Sequence, residues 1–183
     1  EMIAEITECF TKLNFRQDLK AAVLQGEGKV FCAGADLAWM QDMVNYDLNK
    51  NKEDSKKLFE MFQAISECSL PVVGVVQGAA FGGALGLISA CDYVINEEKT
   101  QFCFSEVKLG IAPAVISAFI LKKISRGYVA PLMLSAKVFS EHQALQMGLI
   151  HEICPTGEAH HQLQQFLHQI SICGPQAVRA TKK

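Results

Sequence analysis

The sequence has no excess of positive charge and no long hydrophobic run. Its 183 residues include 17 Lys and Arg against 19 Asp and Glu, so the formal net charge is −2. Proteins that bind a nucleic-acid backbone present a basic face, so nucleic acid is not the expected partner. Because glycines and polar residues interrupt every apolar stretch, we also expect no membrane-spanning helix and no signal peptide. The basic residues within 122–126 and 179–183 are expected to be solvated or to bind small anions.

The cysteines are not spaced like a disulfide framework or a zinc site. There are seven, without any CxxC pair: Cys9, Cys32, Cys68, Cys91, Cys103, Cys154 and Cys173. An odd number of thiols scattered among apolar neighbours predicts reduced, buried cysteines and a cytoplasmic protein. The histidines do not build a compact ligand set either, because His161 and His168 would lie about two turns apart on a helix. The sequence therefore predicts no metal site.

Motifs of nucleotide binding and of nucleophilic catalysis are also missing. Neither GxxxxGK[ST] nor GxGxxG occurs, which argues against the common loops that cradle phosphates. There is no GxSxG, and no cysteine lies beside a plausible histidine. A serine or thiol nucleophile is therefore not expected.

The residues that are present predict one compact α/β domain over residues 1–183. Half of them are hydrophobic and 20% are charged, which suits a single core. Strand-like and helix-like apolar patterns alternate along the chain. We predict strands within residues 19–28, 71–77, 92–98, 100–104 and 148–154, with a further short strand that begins at Lys29 and a helix that begins at Asp36. Helices are also predicted at 2–13, 53–68, 83–90, 127–134, 140–147 and 156–173, with one more after a loop within 105–125 and another that begins at residue 175. We interpret the polar residues 47–57 as a surface loop that leads into the helix at 53–68.

Two glycine-containing turns are candidates for an anion-stabilising site. FCAGADL (residues 31–37) and AAFGGALG (residues 79–86) each read as a strand end, a turn of small residues and a helix start. The first amides of a helix have no intrahelical acceptor, and the helix dipole adds positive charge there. Placed side by side, the amides of Ala35 and Gly83 would form an oxyanion hole. The alternative is that both are ordinary strand-to-helix turns.

Glu106, in FSEVKLGIAP (residues 104–113), is the candidate acid–base group. A carboxylate among apolar side chains has its ionised form disfavoured, so its pKa rises toward neutral pH. The alternative is a glutamate that caps the next helix or faces water.

Four segments together resemble the crotonase (enoyl-CoA hydratase/isomerase) superfamily. They are GKVFCAGADL (28–37), GVVQGAAFGGALGLISACD (74–92), QFCFSEVKLGIAPAVIS (101–117) and AKVFSEHQALQMGLIHEICP (136–155). The segments match the family in their order and spacing, and the match covers nearly the whole chain. The versions GGALG and SEVKLGIAPAVIS are most similar to bacterial methylglutaconyl-CoA hydratases of leucine breakdown.

The resemblance implies a fold, a ligand and a set of site residues. The fold would be a spiral of ββα units with C-terminal helices, assembled as homotrimers or dimers of trimers. The ligand would be an acyl-CoA thioester, held at its oxygen by the amides of Ala35 and Gly83, with no separate cofactor. Coenzyme A would lie along Ala33, Ala35, Asp36 and Leu37. By the same resemblance, strands before residue 1 and the last C-terminal helices are expected to be missing from this sequence.

The resemblance also implies an altered acid–base pair. Hydratases of the family use two glutamates; one matches Glu106, and the position of the other is occupied by Gly86. This favours hydration of a 2-enoyl-CoA of the methylglutaconyl type through one carboxylate. The alternatives are an isomerase that moves a proton with one glutamate and a non-catalytic member that binds coenzyme A or RNA. Lys108 and Arg126 are candidates for a contact with a second substrate carboxylate; the alternative for both is solvated surface.

Overall fold

The computed structural model describes residues 1–36 and 45–182, which form two small sheets surrounded by helices. The strands are β1 (Ala22–Gln25), β2 (Val72–Val76), β3 (Ala79–Phe81), β4 (Tyr93–Glu97), β5 (Gln101–Cys103), β6 (Phe139–Ser140) and β7 (Glu152–Cys154). The α-helices are α1 (Met2–Leu13), α2 (Leu48–Ser66), α3 (Gly83–Ala90), α4 (Ala114–Lys123), α5 (Arg126–Ser135), α6 (Glu141–Met147), α7 (Ala159–Ser171) and α8 (Pro175–Lys182). A 3-10 helix, Glu106–Leu109, follows β5.

The chain alternates between the two sheets, which confirms the predicted spiral of ββα units. The first sheet is parallel, in the order β1-β2-β4-β7. The second has the order β3-β5-β6, with β3 and β5 parallel and β6 antiparallel to β5. From β2 the chain passes directly into β3 and returns through α3, and from β4 it passes into β5 before the next helices. The carboxyl ends of β3 and β5 therefore lie next to each other.

The parallel sheet has apolar layers on both faces. All five residues of β2 are buried, as the near-continuous apolar pattern predicts for a covered parallel strand. Val72 and Val76 join the main core, whereas Val73 and Val75 join a smaller cluster with Leu163 of α7. The two clusters hold the sheet between α2, α3 and α4 on one side and α7 on the other, so the turns after β2 and β3 start from a rigid base.

The predicted loop at residues 47–57 is wrong, because α2 begins at Leu48. The Asp47 side chain caps this helix by accepting a hydrogen bond from the Lys50 amide at 2.8 Å. Ion pairs one turn apart, such as Lys57 with Glu53 at 3.3 Å, cover its exposed face. A polar composition is compatible with an exposed first half of a helix, and a capping aspartate is its start signal. The apolar face of the second half is as predicted: Met61, Phe62 and Ile65 are buried, and Leu58 packs against the core.

Replacing Asp47 by Ala is expected to lower the free energy of unfolding by about 1 kcal/mol, because the Lys50 amide loses its acceptor. In a chain of this size that corresponds to a fall in Tm of about 2–4 °C in thermal unfolding. Asp47→Asn keeps a side-chain oxygen at the cap and is the control, with a Tm near that of wild type. Equal Tm values for Asp47→Ala and wild type would show that the cap contributes nothing.

The remaining differences from the predicted elements concern very short strands. The sequence pattern does not predict β3 and β6, which have three and two residues. The strand expected after Lys29 is reduced to a single parallel bridge between Cys32 and Ala80. The helix expected from Asp36 onward lies outside the described residues. Strands this short have no periodicity of their own, and pairing with their neighbours defines them.

Three of the basic residues expected to be solvated are structural anchors instead. Lys123 donates to the Cys91 carbonyl at the carboxyl end of α3, where a cation also complements the helix dipole. Arg179 of α8 donates to Ser69 Oγ at 2.7 Å and to the Arg16 carbonyl at 2.7 Å. Lys182, on the same helix, forms an ion pair of 2.7 Å with Asp92. These long cationic side chains fasten separate elements together.

Candidate active site

The structure brings the two glycine turns together. Cys32 lies beside β3, where its carbonyl accepts the Phe81 amide at 3.0 Å and its amide donates to the Ala79 carbonyl at 3.2 Å. A Cβ atom placed on Gly34 would lie 3.6 Å from the Phe81 carbonyl oxygen. The turn that carries Ala35 therefore runs directly past the turn that leads to Gly83. This contact is the arrangement that a two-amide site requires; the convergence of the Ala35 and Gly83 amides stays a prediction.

The second turn ends at the amino terminus of α3, which faces open space. Gly82 is the N-cap, with φ 56° and ψ −124°, and its amide donates to the Cys103 carbonyl at 2.9 Å. Gly83 is the first residue of the helix, so its own amide has no intrahelical acceptor. A Cβ atom on Gly83 would meet no described heavy atom within 4 Å. A ligand oxygen that accepts from this amide would lie at the positive end of a helix dipole.

The residues predicted to contact coenzyme A lie at the edge of the first turn. Ala33, Ala35 and Asp36 are exposed there, and Asp36 has an interaction partner. Leu37 lies outside the described residues. An exposed edge beside the paired turns is compatible with ligand contact, and the role of these residues in binding coenzyme A stays a prediction.

Glu106 points back toward the second glycine turn. Its Oε1 atom lies 3.5 Å from the position that a Cβ atom on Gly82 would take. Its Oε2 atom is buried and has no hydrogen-bond partner among residues 1–36 and 45–182. Burial raises the pKa of Glu106 above its usual 4.5, and a hydrogen bond from its own backbone opposes the rise. The carboxyl group does not cap α4, which has no side-chain cap. Glu106 as a whole is half-buried, so one carboxyl oxygen is withdrawn from water while its role as acid–base group stays a prediction.

Gly86, at the position of the second family glutamate, leaves no room for a side chain. A Cβ atom there would lie 2.5 Å from Cζ of Phe62 and 2.7 Å from Cε2 of the same ring. Phe62 has no exposed surface, and its ring meets the Phe119 ring edge-on at a centroid distance of 5.5 Å. The second carboxylate is therefore not merely absent: an aromatic ring fills the place where its side chain would begin. The sequence contains no local signal for this contact between α2 and α3.

Gly82→Ala is expected to lower catalytic activity strongly and stability moderately. The new Cβ atom would lie 3.1 Å from Ser105 Oγ and 3.5 Å from Glu106 Oε1, at a φ of +56° that side chains rarely adopt. We expect a loss in kcat of about 10²-fold from the displaced Glu106, and about 1–2 kcal/mol of stability from backbone strain. Steady-state kinetics and chemical unfolding measure the two effects. A mutant with wild-type kcat would contradict the placement of Glu106 against this turn.

The remaining nucleophilic and metal-binding residue types are not arranged for catalysis. No group of three or more His, Cys, Asp or Glu side chains that could hold a metal ion occurs in the described residues. All seven cysteines are free, but Cys9 and Cys173 are exposed and Cys32 is only half-buried, so the expectation of buried thiols is wrong for these three. Cys9 lies on the exposed face of α1 and Cys173 lies just after α7, where neither thiol is part of the core. Burial raises the pKa of Cys91 to about 12, which makes its thiol a poor nucleophile.

The helices of this structure also include no candidate for a membrane span. None of those described has both the length and the apolar composition that crossing a bilayer requires.

The fold and the paired turns place the protein in a known class, the crotonase-like spiral of ββα units. The chain belongs to the enoyl-CoA hydratase/isomerase family, whose model matches residues 1–183. A solved enoyl-CoA hydratase from Shewanella pealeana is 34% identical, with a TM-score of 0.95 over 99% of this chain and 68% of that one.

Curated relatives of the chain include both hydratases and isomerases. The enoyl-CoA hydratase AFT6-1 of Alternaria alternata is 32% identical over 94% of this chain and 56% of its own length. The human mitochondrial Delta(3,5)-Delta(2,4)-dienoyl-CoA isomerase is 31% identical over 97% of this chain and 58% of its own length. The chain thus spans less than two thirds of these two relatives, and the likeness does not choose between their reactions.

Proposed function

We propose that the protein hydrates a 2-enoyl-CoA thioester, with Glu106 as its acid–base group. The observation that carries this proposal is the buried, unpartnered Oε2 atom of Glu106, whose carboxyl group lies against Gly82 beside the open amino terminus of α3. An unpartnered carboxylate oxygen is costly to bury, and such groups concentrate at functional sites. The other oxygen, Oε1, lies toward Gly82 and is the one that meets the reacting water in this proposal.

The chemistry follows from the two parts of the site. The thioester oxygen accepts hydrogen bonds from the Gly83 and Ala35 amides, which polarises the conjugated double bond. Glu106 takes a proton from water as the water oxygen bonds to C3, and the π electrons move to give an enolate whose oxygen the amides stabilise. The same Glu106 then returns the proton to C2 and the carbonyl re-forms. Both additions occur on one face, because one carboxyl group serves both.

The substrate proposed is of the methylglutaconyl type, as in leucine breakdown. Support comes from the glycine at position 86 and from SEVKLGIAPAVIS, which most resemble such hydratases. The distal carboxylate of that acyl group needs a cation. Lys108, two residues after Glu106 in the same 3-10 helix, and Arg126, the first residue of α5, are the candidates. We further propose that coenzyme A binds along Ala33, Asp36 and Leu37, that no separate cofactor is needed, and that homotrimers of a cytoplasmic enzyme assemble.

An isomerase is the second candidate function, and two observations favour it. One carboxyl group suffices to carry a proton between two carbons of an enolate, and a relative named as an isomerase is 31% identical. The paired turns serve this reaction equally, since both reactions pass through the same enolate.

To test the proposed function, the full-length protein is assayed with three thioesters: 3-methylglutaconyl-CoA, crotonyl-CoA and 3-hexenoyl-CoA. Loss of the absorbance of a conjugated enoyl thioester reports hydration, and its appearance from the 3-enoyl substrate reports isomerisation. We expect hydration of the first two, with the larger kcat/KM for 3-methylglutaconyl-CoA. Conversion of 3-hexenoyl-CoA alone would establish the isomerase instead. Binding of coenzyme A thioesters without turnover of any would establish the non-catalytic alternative.

A further inference from the structure

A water that adds to a double bond must be held by more than one polar group. In a two-glutamate site, both O–H bonds of the water point to carboxylates and a lone pair is left for carbon. Here Glu106 provides one acceptor, but Phe62 occupies the place of the other. A second acceptor therefore has to come from a different part of the fold, if the protein is a hydratase.

Ser105 is in the right place to be this acceptor. Its Oγ atom lies 3.1 Å from the position of a Cβ atom on Gly82, and Glu106 Oε1 lies 3.5 Å from the same position. Both oxygens thus border the same side of the turn that presents the Gly83 amide. The side chain of Ser105 is half-buried and does not cap the 3-10 helix that it precedes.

The hydroxyl group also has no structural task in the described part of the chain. Ser105 contributes its backbone carbonyl to the Lys108 amide at 3.1 Å, which holds the 3-10 turn without the side chain. A methyl group would serve the turn equally well. The feature that distinguishes serine here is an oxygen on the same side of Gly82 as Oε1 of Glu106.

We propose that Ser105 Oγ is the second anchor of the reacting water. The water donates one hydrogen bond to Glu106 Oε1 and the other to Ser105 Oγ, the two oxygens that border Gly82, and its remaining lone pair faces C3 of the enoyl group. Glu106 takes the proton from the water and returns it to C2, so Ser105 begins and ends as a neutral hydroxyl. Ser105 is a water-positioning residue in this scheme. The inference rests on the proposed hydratase function.

The test compares two reactions of the same site. Hydration of crotonyl-CoA needs a positioned water, whereas exchange of the C2 proton of butyryl-CoA in D₂O needs Glu106 and the amides but no attacking water. For Ser105→Ala we expect kcat for hydration to fall about tenfold to hundredfold, since misplacement of one reactant costs this much. The ratio of hydration to exchange should fall by at least about tenfold, with little change in KM. Ser105→Thr should restore most of the hydration rate.

A matched control is Ser135→Ala, which removes an exposed hydroxyl that donates to the Pro131 carbonyl within α5. Wild-type hydration by Ser105→Ala would overturn the proposal. Parallel loss of hydration and exchange would also overturn it, because it would show that Ser105 acts on the shape of the site and not on the water. Failure of the proposed hydratase function would give a different result: the wild-type protein would exchange the C2 proton of butyryl-CoA but hydrate neither crotonyl-CoA nor 3-methylglutaconyl-CoA.

Discussion

Glu106→Gln is expected to abolish most turnover while leaving the protein folded. Glutamine keeps the shape of the side chain but can neither take nor return a proton at its usual position. Loss of one general acid–base group costs about 10²–10⁴-fold in rate, and Glu106 has to serve twice in each turnover, so the upper part of this range is expected. The measurement is kcat for hydration, or for C2 proton exchange, in the mutant and in the wild type.

The pH dependence of activity should report the buried position of the same carboxyl group. Hydration requires the ionised form, and burial raises the pKa of Glu106 above 4.5. The acid limb of kcat/KM against pH is therefore expected above pH 4.5 in the wild type. A limb at or below pH 4.5 would show that the active carboxylate is solvated or is another residue.

As pH rises through the range in which Glu106 ionises, activity should rise while the stability contributed by this group falls. Because the folded pKa of Glu106 is raised, the folded state binds more protons than the unfolded state between pH 4.5 and the folded pKa. The wild type therefore loses stability from this group as pH rises through that interval, and the loss is complete above it. Glu106→Gln carries no such charge, so its Tm at pH 7 should exceed that of wild type, and the difference should shrink toward pH 4.5.

Glu98→Gln is the matched control for both measurements. Glu98 is exposed, just after β4, and lies on neither glycine turn. It should keep wild-type activity and a wild-type Tm at each pH. Turnover that survives in Glu106→Gln would remove this residue from its proposed role, whatever the change in Tm.

Gly86→Glu is expected to damage the fold rather than to restore a two-glutamate site. The first atom of the new side chain would lie 2.5 Å from the Phe62 ring, which is completely buried. Overpacking of this kind costs about 1–3 kcal/mol, and a buried carboxylate without a partner adds at least a similar amount. We expect the free energy of unfolding to fall by about 3 kcal/mol or more, and a loss of 3 kcal/mol corresponds to a fall in Tm of about 6–12 °C.

A double-mutant cycle separates the clash from the buried charge. Phe62→Ala alone should cost about 3–5 kcal/mol through the cavity that it leaves. If the ring is the obstacle, the double mutant Gly86→Glu/Phe62→Ala should lose less stability than the two single mutants together. The difference in the free energy of unfolding should be at least about 1 kcal/mol. Gly127→Glu, on the exposed first turn of α5, is the control and should keep its Tm. A Gly86→Glu protein with wild-type stability would show that Phe62 moves aside freely.

The types and order of the elements were largely predictable, because their signals are local. The apolar run of β2, the helix at Gly83–Ala90 and the helix that begins at Pro175 occur where the residue pattern predicts them. The errors arose where local composition has two meanings. Residues 47–57 are polar enough for a loop, but a capping Asp47 and ion pairs one turn apart make them the start of α2.

The sequence by itself determined the components of the site: two turns of small residues that end at helix starts and one glutamate among apolar neighbours. Only the tertiary structure decided how they meet. Gly34 lies beside Phe81, Ser105 and Glu106 lie against Gly82, and Phe62 fills the side-chain space of Gly86. Each of these contacts joins segments that are distant in the chain, so it depends on strand register and on how α2 packs against α3. Turn chemistry and periodicity act over a few residues and carry no information about such pairings.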